Sequence, residues 1–198
     1  MLLTPPITLL TVPLTVFDAP LTASLVPPPV PGSSTFGALG VSSDGISVPL
    51  HYLNPTMRIP LVPVTMNCTV PPIPTPARAY EVGAVFRELV RAFPGRERVA
   101  VIATGGLSHE PGGPRYFWVD EEFDLWFLDL LKRGDHTALL RECTLERMEA
   151  AGSGGTAELL AWILALAFTT GPADVLAYMP AIAWRSGTGM VTWSHFAA

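Results

Sequence analysis

Two side chains, His109 and Glu158, stand in settings where they could do chemistry. His109 lies within the run Val99-Ala-Val-Ile-Ala-Thr-Gly-Gly-Leu-Ser-His109-Glu-Pro-Gly-Gly-Pro114. Residues 99 to 103 are short, apolar and rich in β-branched side chains, which predicts a central strand buried on both faces of a parallel or mixed sheet. Gly105 and Gly106 let the chain turn where that strand ends, and His109 rides on a loop of Gly and Pro. A titratable group just past the carboxyl end of a buried strand lies where open α/β sheets place their ligand crevices. A loop histidine satisfied by backbone is the competing reading.

Glu158 opens an apolar stretch, about Thr156 to Thr169, whose all-round hydrophobicity predicts a buried helix. A buried carboxylate must be paired, hydrogen-bonded, protonated or metal-bound. Alternatively, Glu158 is an exposed first-turn residue that favours the helix dipole.

The elements that must position these groups are read from periodicity. Ile46 to Leu50 and Ile59 to Met66 are expected as strands, with Pro49, Pro60 and Pro63 demoting them toward edge or bulged positions. Asn67, directly after the second, is a candidate substrate contact. Val82, Val85, Phe86, Leu89, Val90 and Phe93 fall at helical spacing, stopped by Pro94-Gly95, so this helix is a plausible crossover into strand 99 to 103. Asp120 reads as the N-cap of a helix with the stripe Phe123, Trp126, Phe127, Leu130 and Leu131, ended by Lys132-Arg133-Gly134. Short helices at about 137 to 142 and 145 to 150 precede the break Gly152-Ser-Gly-Gly155, and Asp174 to Trp184 reads as one more strand. In the tail, Arg185, Ser186 and Thr188 offer donors that could meet a substrate carboxylate, although a plain turn explains each of them too.

Composition bounds the partners. The chain has 198 residues, 49% of them hydrophobic, and can bury a real core. A net charge of -5 with only 12 Lys and Arg leaves no basic stripe, which excludes nucleic acid as an expected partner. A mean hydropathy of +0.38 is apolar for a soluble monomer and points to a homo-oligomer or a partner subunit. Cys68 and Cys143 form no CxxC motif, so neither a disulfide framework nor a zinc site is expected, and a reducing cytoplasm fits. The longest clean apolar run, Leu159 to Phe168, is roughly half of the ~20 residues of a membrane span. Residues 1 to 44 differ from the rest, with Asp18 and Asp44 as their only charges and many prolines. No basic n-region marks a secretory signal there, and extended or disordered chain is expected, with helix and central strand both disfavoured by proline.

Five motifs in order carry a family resemblance: G-I-S-V-P-L, V-T-M-N-C-T-V-P-P-I-P-T-P-A-R-A-Y-E-V-G, T-G-G-L-S-H, D-E-E-F-D-x-x-F-L-D-L-L and A-G-S-G-G-T-A-E-L-L-A-W. Over roughly residues 44 to 198 the chain resembles the class III extradiol ring-cleavage dioxygenases, the family of the protocatechuate 4,5-dioxygenase catalytic subunit. The resemblance implies an α/β layered sandwich, a central mixed sheet flanked by helices, with the N-terminal part of the family fold missing. It also implies Fe(II) chemistry with O2 on a catechol-type diol such as protocatechuate or gallate, the iron held by two His and one Glu. By motif position His109 is similar to the family's acid/base histidine, and Glu158, four residues before Trp162, to its carboxylate ligand. The family's two histidine ligands and its Asp-His-Gly have no counterpart here, where Ser43-Asp44-Gly45 stands and the only histidines are His51, His109, His136 and His195. Three functional readings follow. They are a dioxygenase completed by another chain, a non-catalytic subunit or remnant of the same fold, and a hydrolase using Ser108 with His109; the last lacks a G-x-S-x-G elbow.

Overall fold

The computed structural model describes residues 7–12, 44–56, 58–94 and 98–194. Its elements are β1 (Ile7–Val12), α1 (Asp44–Leu53), β2 (Leu61–Pro63), α2 (Pro76–Ala92), β3 (Arg98–Ala103), α3 (Glu121–Arg133), α4 (His136–Glu142) and α5 (Leu145–Ala151). A 3-10 turn (Thr156–Glu158), α6 (Leu159–Leu166), β4 (Asp174–Ala181), a second 3-10 turn (Ile182–Trp184) and β5 (Ser186–Thr192) complete the order.

Strand β3 shows how the layers form. Its side chains alternate between two apolar clusters, as the period of two along a strand requires. Val99 and Val101 pack with Ala161 and Leu164 of α6 and with Phe168. Ala100 and Ile102 pack with Ile46 and Leu50 of α1. Helices therefore cover both sides of a sheet whose strands run parallel in the order β2-β1-β3. This is the expected α/β layering. Among the described residues the antiparallel strands β4 and β5 pair with each other as a hairpin.

Several local expectations are corrected. Strand β3 is at an edge of the three described strands, and the centre is β1, drawn from the proline-rich first segment. Pro5, Pro6 and Pro13 flank Ile7–Val12 without entering it, so all six residues keep their ladder N–H groups. Residues 1–6 and 13–43 of that segment lie outside the described residues. The stretch read as strand 46 to 50 is helix α1, because Ile46 and Leu50, both buried, share one face at i and i+4. The strand expected over 59 to 66 shortens to Leu61–Pro63, where Pro60 and Pro63 limit its donors. The last strand ends at Ala181 and not Trp184. Arg185 then takes a left-handed backbone, φ 62, and the chain returns as β5 through the Ser-Gly-Thr-Gly stretch read as tail.

Helix ends follow the sequence signals closely. Asp120 Oδ1 accepts the Phe123 N–H at 3.0 Å, and Gly134 closes α3 in the left-handed conformation at φ 67. Asp135 and Thr144 cap α4 and α5 in the same way. The apolar stripe of α2 divides: Val82, Phe86 and Val90 pack toward α6, whereas Val85, Leu89 and Phe93 are exposed. Close packing of α2 on α6 depends on Gly83, where a Cβ would run into the Leu164 carbonyl oxygen and lie 2.9 Å from Ala167 Cβ. Gly83→Ala raises helix propensity by about 1 kcal/mol. It is nevertheless expected to destabilise the chain, because overpacking a helix contact costs about 1–3 kcal/mol. The urea midpoint reads the difference.

Candidate active site

The site is built where β3 ends. Gly105 has φ 151, and a Cβ there would press on the Glu158 side chain at 2.9 Å. At Gly106 a Cβ would meet the His109 ring at 2.8 Å and Ser186 Oγ at 3.0 Å. The two glycines thus leave the space that the carboxylate and the imidazole occupy. Glu158, buried in the 3-10 turn ahead of α6, reaches back so that its Oε2 accepts the Gly106 N–H at 2.6 Å. One turn later Trp162 Nε1–H donates to the Gly105 carbonyl at 3.3 Å, tying the same loop to α6.

His109 is held from both sides. Its Nδ1 lies 3.0 Å from the Leu107 carbonyl oxygen, and its Nε2 lies 3.3 Å from Glu158 Oε1. A carbonyl and a carboxylate both only accept, so the protonated ring donates from Nδ1–H to Leu107 and from Nε2–H to Glu158. The His109 N–H donates to Thr156 Oγ1 at 3.3 Å, and the ring lies against Gly155, where a Cβ would come within 2.7 Å of Nε2. The Gly152–Gly155 break is therefore the seat of this histidine. Burial disfavours the imidazolium, but the hydrogen bond and charge of Glu158, with the Leu107 carbonyl, outweigh it and hold His109 above its ordinary value. In the chain without metal, that stabilisation is fully present below the ordinary 6.5 and is lost as pH rises through the higher folded value. The urea midpoint is expected to fall from about pH 6 to about pH 8, and His109→Gln to remove that part of the slope.

The structure brings His109 and Glu158 into contact although α3, α4 and α5 separate them in sequence. It settles the alternatives for Glu158 as well: the carboxylate is buried and hydrogen-bonded, not an exposed first-turn residue. Ser186 Oγ lies beside the same glycine, Gly106, and donates its hydroxyl to the Gly187 carbonyl at 2.8 Å. Arg185 is near by sequence, with its guanidinium 4.4 Å over the Tyr116 ring. Thr188 is exposed and alternates with Gly187 and Gly189, which face Leu107, so it points to the outer side of β5. Asn67 spends its amide on its own turn, accepting from Thr69 and Val70 N–H and donating to the Val70 and Pro72 carbonyls. His51 is exposed against Tyr52, His136 opens α4 with its Nε2 buried and unpartnered, and His195 lies outside the described residues.

The Ser108–His109 hydrolase reading fails on geometry. Ser108 is fully buried; its Oγ donates to Asp124 Oδ2 at 3.0 Å and accepts the Asp120 N–H at 2.8 Å. Its hydroxyl is committed to Asp124 and not to the imidazole.

Two buried carboxylates were missed by sequence reasoning. Glu110 pins the loop after His109: Arg115 Nε donates to it at 2.8 Å and the Ser153 N–H at 3.3 Å, while Arg115 Nη1 reaches the Ala150 carbonyl at 2.8 Å. Burial pushes the Glu110 carboxyl up, but these Arg115 and Ser153 donors hold it below the usual range. Asp124 has no exposed surface, and burial pushes its carboxyl up against the hydrogen bonds of Ser108 and Tyr178. A signal for it was present, since Asp124 shares the buried helix face of Phe127, Leu128 and Leu131 at i, i+3, i+4 and i+7.

A parallel α/β sheet carrying a half-buried histidine against a buried carboxylate at the end of a strand defines the class of site. Residues 42–186 match the family described as the catalytic LigB subunit of aromatic ring-opening dioxygenase, and the chain belongs to that family. It is 34% identical over 123 residues to gallate dioxygenase of Pseudomonas putida, covering 61% of this chain and 36% of that protein. It is 35% identical over 81 residues to 2,3-dihydroxyphenylpropionate/2,3-dihydroxicinnamic acid 1,2-dioxygenase of Photorhabdus laumondii, covering 40% of this chain and 25% of the relative. A protein of the same name from Cupriavidus necator is 44% identical over 66 residues, 33% of this chain and 20% of its own length. The matches thus span about a third or less of these curated relatives.

Proposed function

We propose that this chain is part of an Fe(II)-dependent extradiol dioxygenase that opens a catechol-type ring, protocatechuate- or gallate-like, with O2. The observation that carries the reading is the His109–Glu158 pair, 3.3 Å apart within the family-matched region. Relatives named for gallate and for dihydroxyphenylpropionate support a diol that also bears a carboxylate. Arg185 and Ser186 are the candidate donors to that carboxylate, with Asn67 and Thr188 more remote candidates.

Three protein donors on one face are what a non-haem Fe(II) site needs. Among the described residues no group of three His, Cys, Asp or Glu converges, so they do not by themselves fit the ion. In this reading Glu158 is the one ligand this chain offers, and the remaining donors come from elsewhere. His109 acts on protons: Nδ1–H is anchored on Leu107, and Nε2 takes a proton from a catechol hydroxyl and returns it to the ring-opened product. The same shortage of donors favours a second reading, a non-catalytic subunit or remnant that serves as an assembly partner.

Oxygen uptake with a carboxylated catechol, together with a yellow ring-opened semialdehyde, tests the activity for the chain alone and with a complementing partner. Absence of ring opening with any partner would leave the second reading. Anaerobic calorimetry of the chain alone is expected to show Fe(II) binding weaker than micromolar. Tight one-to-one binding lost in Glu158→Ala would reveal ligands that this reading lacks. A cytoplasmic homo-oligomer or heteromer is part of the proposal. Among the described residues no helix is long and apolar enough to cross a membrane. The exposed Val85, Leu89 and Phe93 should make the chain self-associate and bind a hydrophobic dye at tens of micromolar. A sharp monomer in sedimentation without dye binding would contradict this.

A further inference from the structure

Two glycine-rich turns meet at His109 and supply few side chains that could interlock them. Pro111-Gly112-Gly113-Pro114 follows the histidine, and Gly152-Ser-Gly-Gly155 lies against it. A Cβ at Gly152 or Gly155 would run into the His109 carbonyl oxygen, and one at Gly155 would also lie 2.6 Å from the ring carbon Cδ2. Room for His109 thus excludes the side-chain packing that would join the turns. They are joined by an ion pair. Glu110, 4% exposed, accepts the Arg115 N–H on Oε1 at 3.2 Å. Its Oε2 accepts Arg115 Nε at 2.8 Å, Arg115 Nη2 at 2.6 Å and the Ser153 N–H of the other turn at 3.3 Å. The guanidinium also reaches out of its own loop: Nη1 donates to the Ala150 carbonyl at 2.8 Å, in the last turn of α5, whose carbonyls have no partner within the helix. Its face lies 4.6 Å from the centre of the Trp118 ring.

We propose that Glu110 and Arg115 are positioning residues for His109: the pair clamps the turn after the histidine to the end of α5 and so keeps the imidazole in its seat against Gly155, beside Glu158. Both act through the two turns. A buried ion pair is a weak source of stability, because the cost of desolvating two charges offsets most of their attraction. Its use here is to fix one geometry in chain that glycine leaves free. The planar guanidinium suits this task, since its fork binds the carboxylate at two nitrogens and still reaches the carbonyl beyond, whereas a lysine ammonium is a point charge. The inference rests on the reading of His109 as the proton-transfer group, and it says what gives that group a fixed place.

The nuclear Overhauser contact between His109 Hδ2 and Gly155 Hα reads the seat in the full chain, labelled with 13C at His and Gly, at one fixed pH, with His109→Gln as the assignment control. The native chain is expected to show this contact. Arg115→Met is expected to lose at least half of its intensity, with a lower urea midpoint because Glu110 is left buried without its partner. Combining Glu110→Gln with Arg115→Met removes that unpaired charge. The double variant should recover most of the midpoint while the contact stays weak, whereas a purely structural pair would recover both together. Arg115→Lys keeps the charge but not the reach to Ala150, and its contact should be intermediate. Arg133→Met breaks an exposed ion pair with Asp129 on α3 and should leave the contact at native strength. A native contact in Arg115→Met or in the double variant overturns the proposal. So does an equal loss in Arg133→Met, or a double variant whose midpoint stays as low as its contact is weak, since either means general loosening. Should neither methionine variant fold, a native contact in Arg115→Lys is the overturning result. The readout needs no turnover, so failure to cleave a diol bears on the proposed function and not on this role.

Discussion

His109→Gln is expected to lower kcat on a catechol carboxylate by about 10²-fold or more while leaving the iron content of the assembled protein nearly unchanged. Glutamine keeps a polar group near the Leu107 carbonyl and Glu158 but cannot exchange a proton near neutral pH. The contact between His109 Nε2 and Glu158 Oε1, 3.3 Å, makes the iron measurement decisive. A histidine touching the carboxylate could hold it in place for a metal as readily as serve the substrate. Metal analysis alongside oxygen uptake separates these roles. Full turnover, or iron loss as complete as in Glu158→Ala, would refute the proton-transfer role.

Glu158→Ala is expected to lose iron and activity together, because the proposal gives this chain one carboxylate ligand and no substitute for it. The same change has a consequence that needs no metal. The Gly106 N–H, 2.6 Å from Glu158 Oε2, loses its acceptor in a largely buried loop. Leaving such a donor unsatisfied costs about 1–3 kcal/mol. Glu158→Gln retains an acceptor oxygen and should recover most of that stability without recovering iron. Denaturant titration of both variants, with metal content, distinguishes a ligand from a purely structural carboxylate. Equal iron in Glu158→Gln and the native chain would remove Glu158 from the metal site.

Local chemistry was legible along the chain. Asp120 and Gly134 bound α3 because a side-chain acceptor and a left-handed glycine act on their own helix ends and need no distant partner. The apolar strand leading to His109 and the apolar helix behind Glu158 were legible for the same reason, since β-branched runs and all-round hydrophobicity are written in consecutive residues. The motifs in the span 44 to 198 sufficed for the family. Proline misled where its effect depends on position: Pro49 lies inside α1, whose face is set by Ile46 and Leu50 packing on β3, and Ile7–Val12 forms β1 between flanking prolines.

The sequence by itself determined the helix caps, the strand–glycine–histidine turn, the burial of Glu158's helix and the family. Only the tertiary structure decided which polar groups meet. It placed His109 against Glu158, gave Ser108 to Asp124, and closed Gly187 over that carboxylate. Such pairs join residues that are far apart in the chain, and their formation depends on how α3, α6 and β5 pack, since a hydrogen bond requires distances that sequence spacing does not specify.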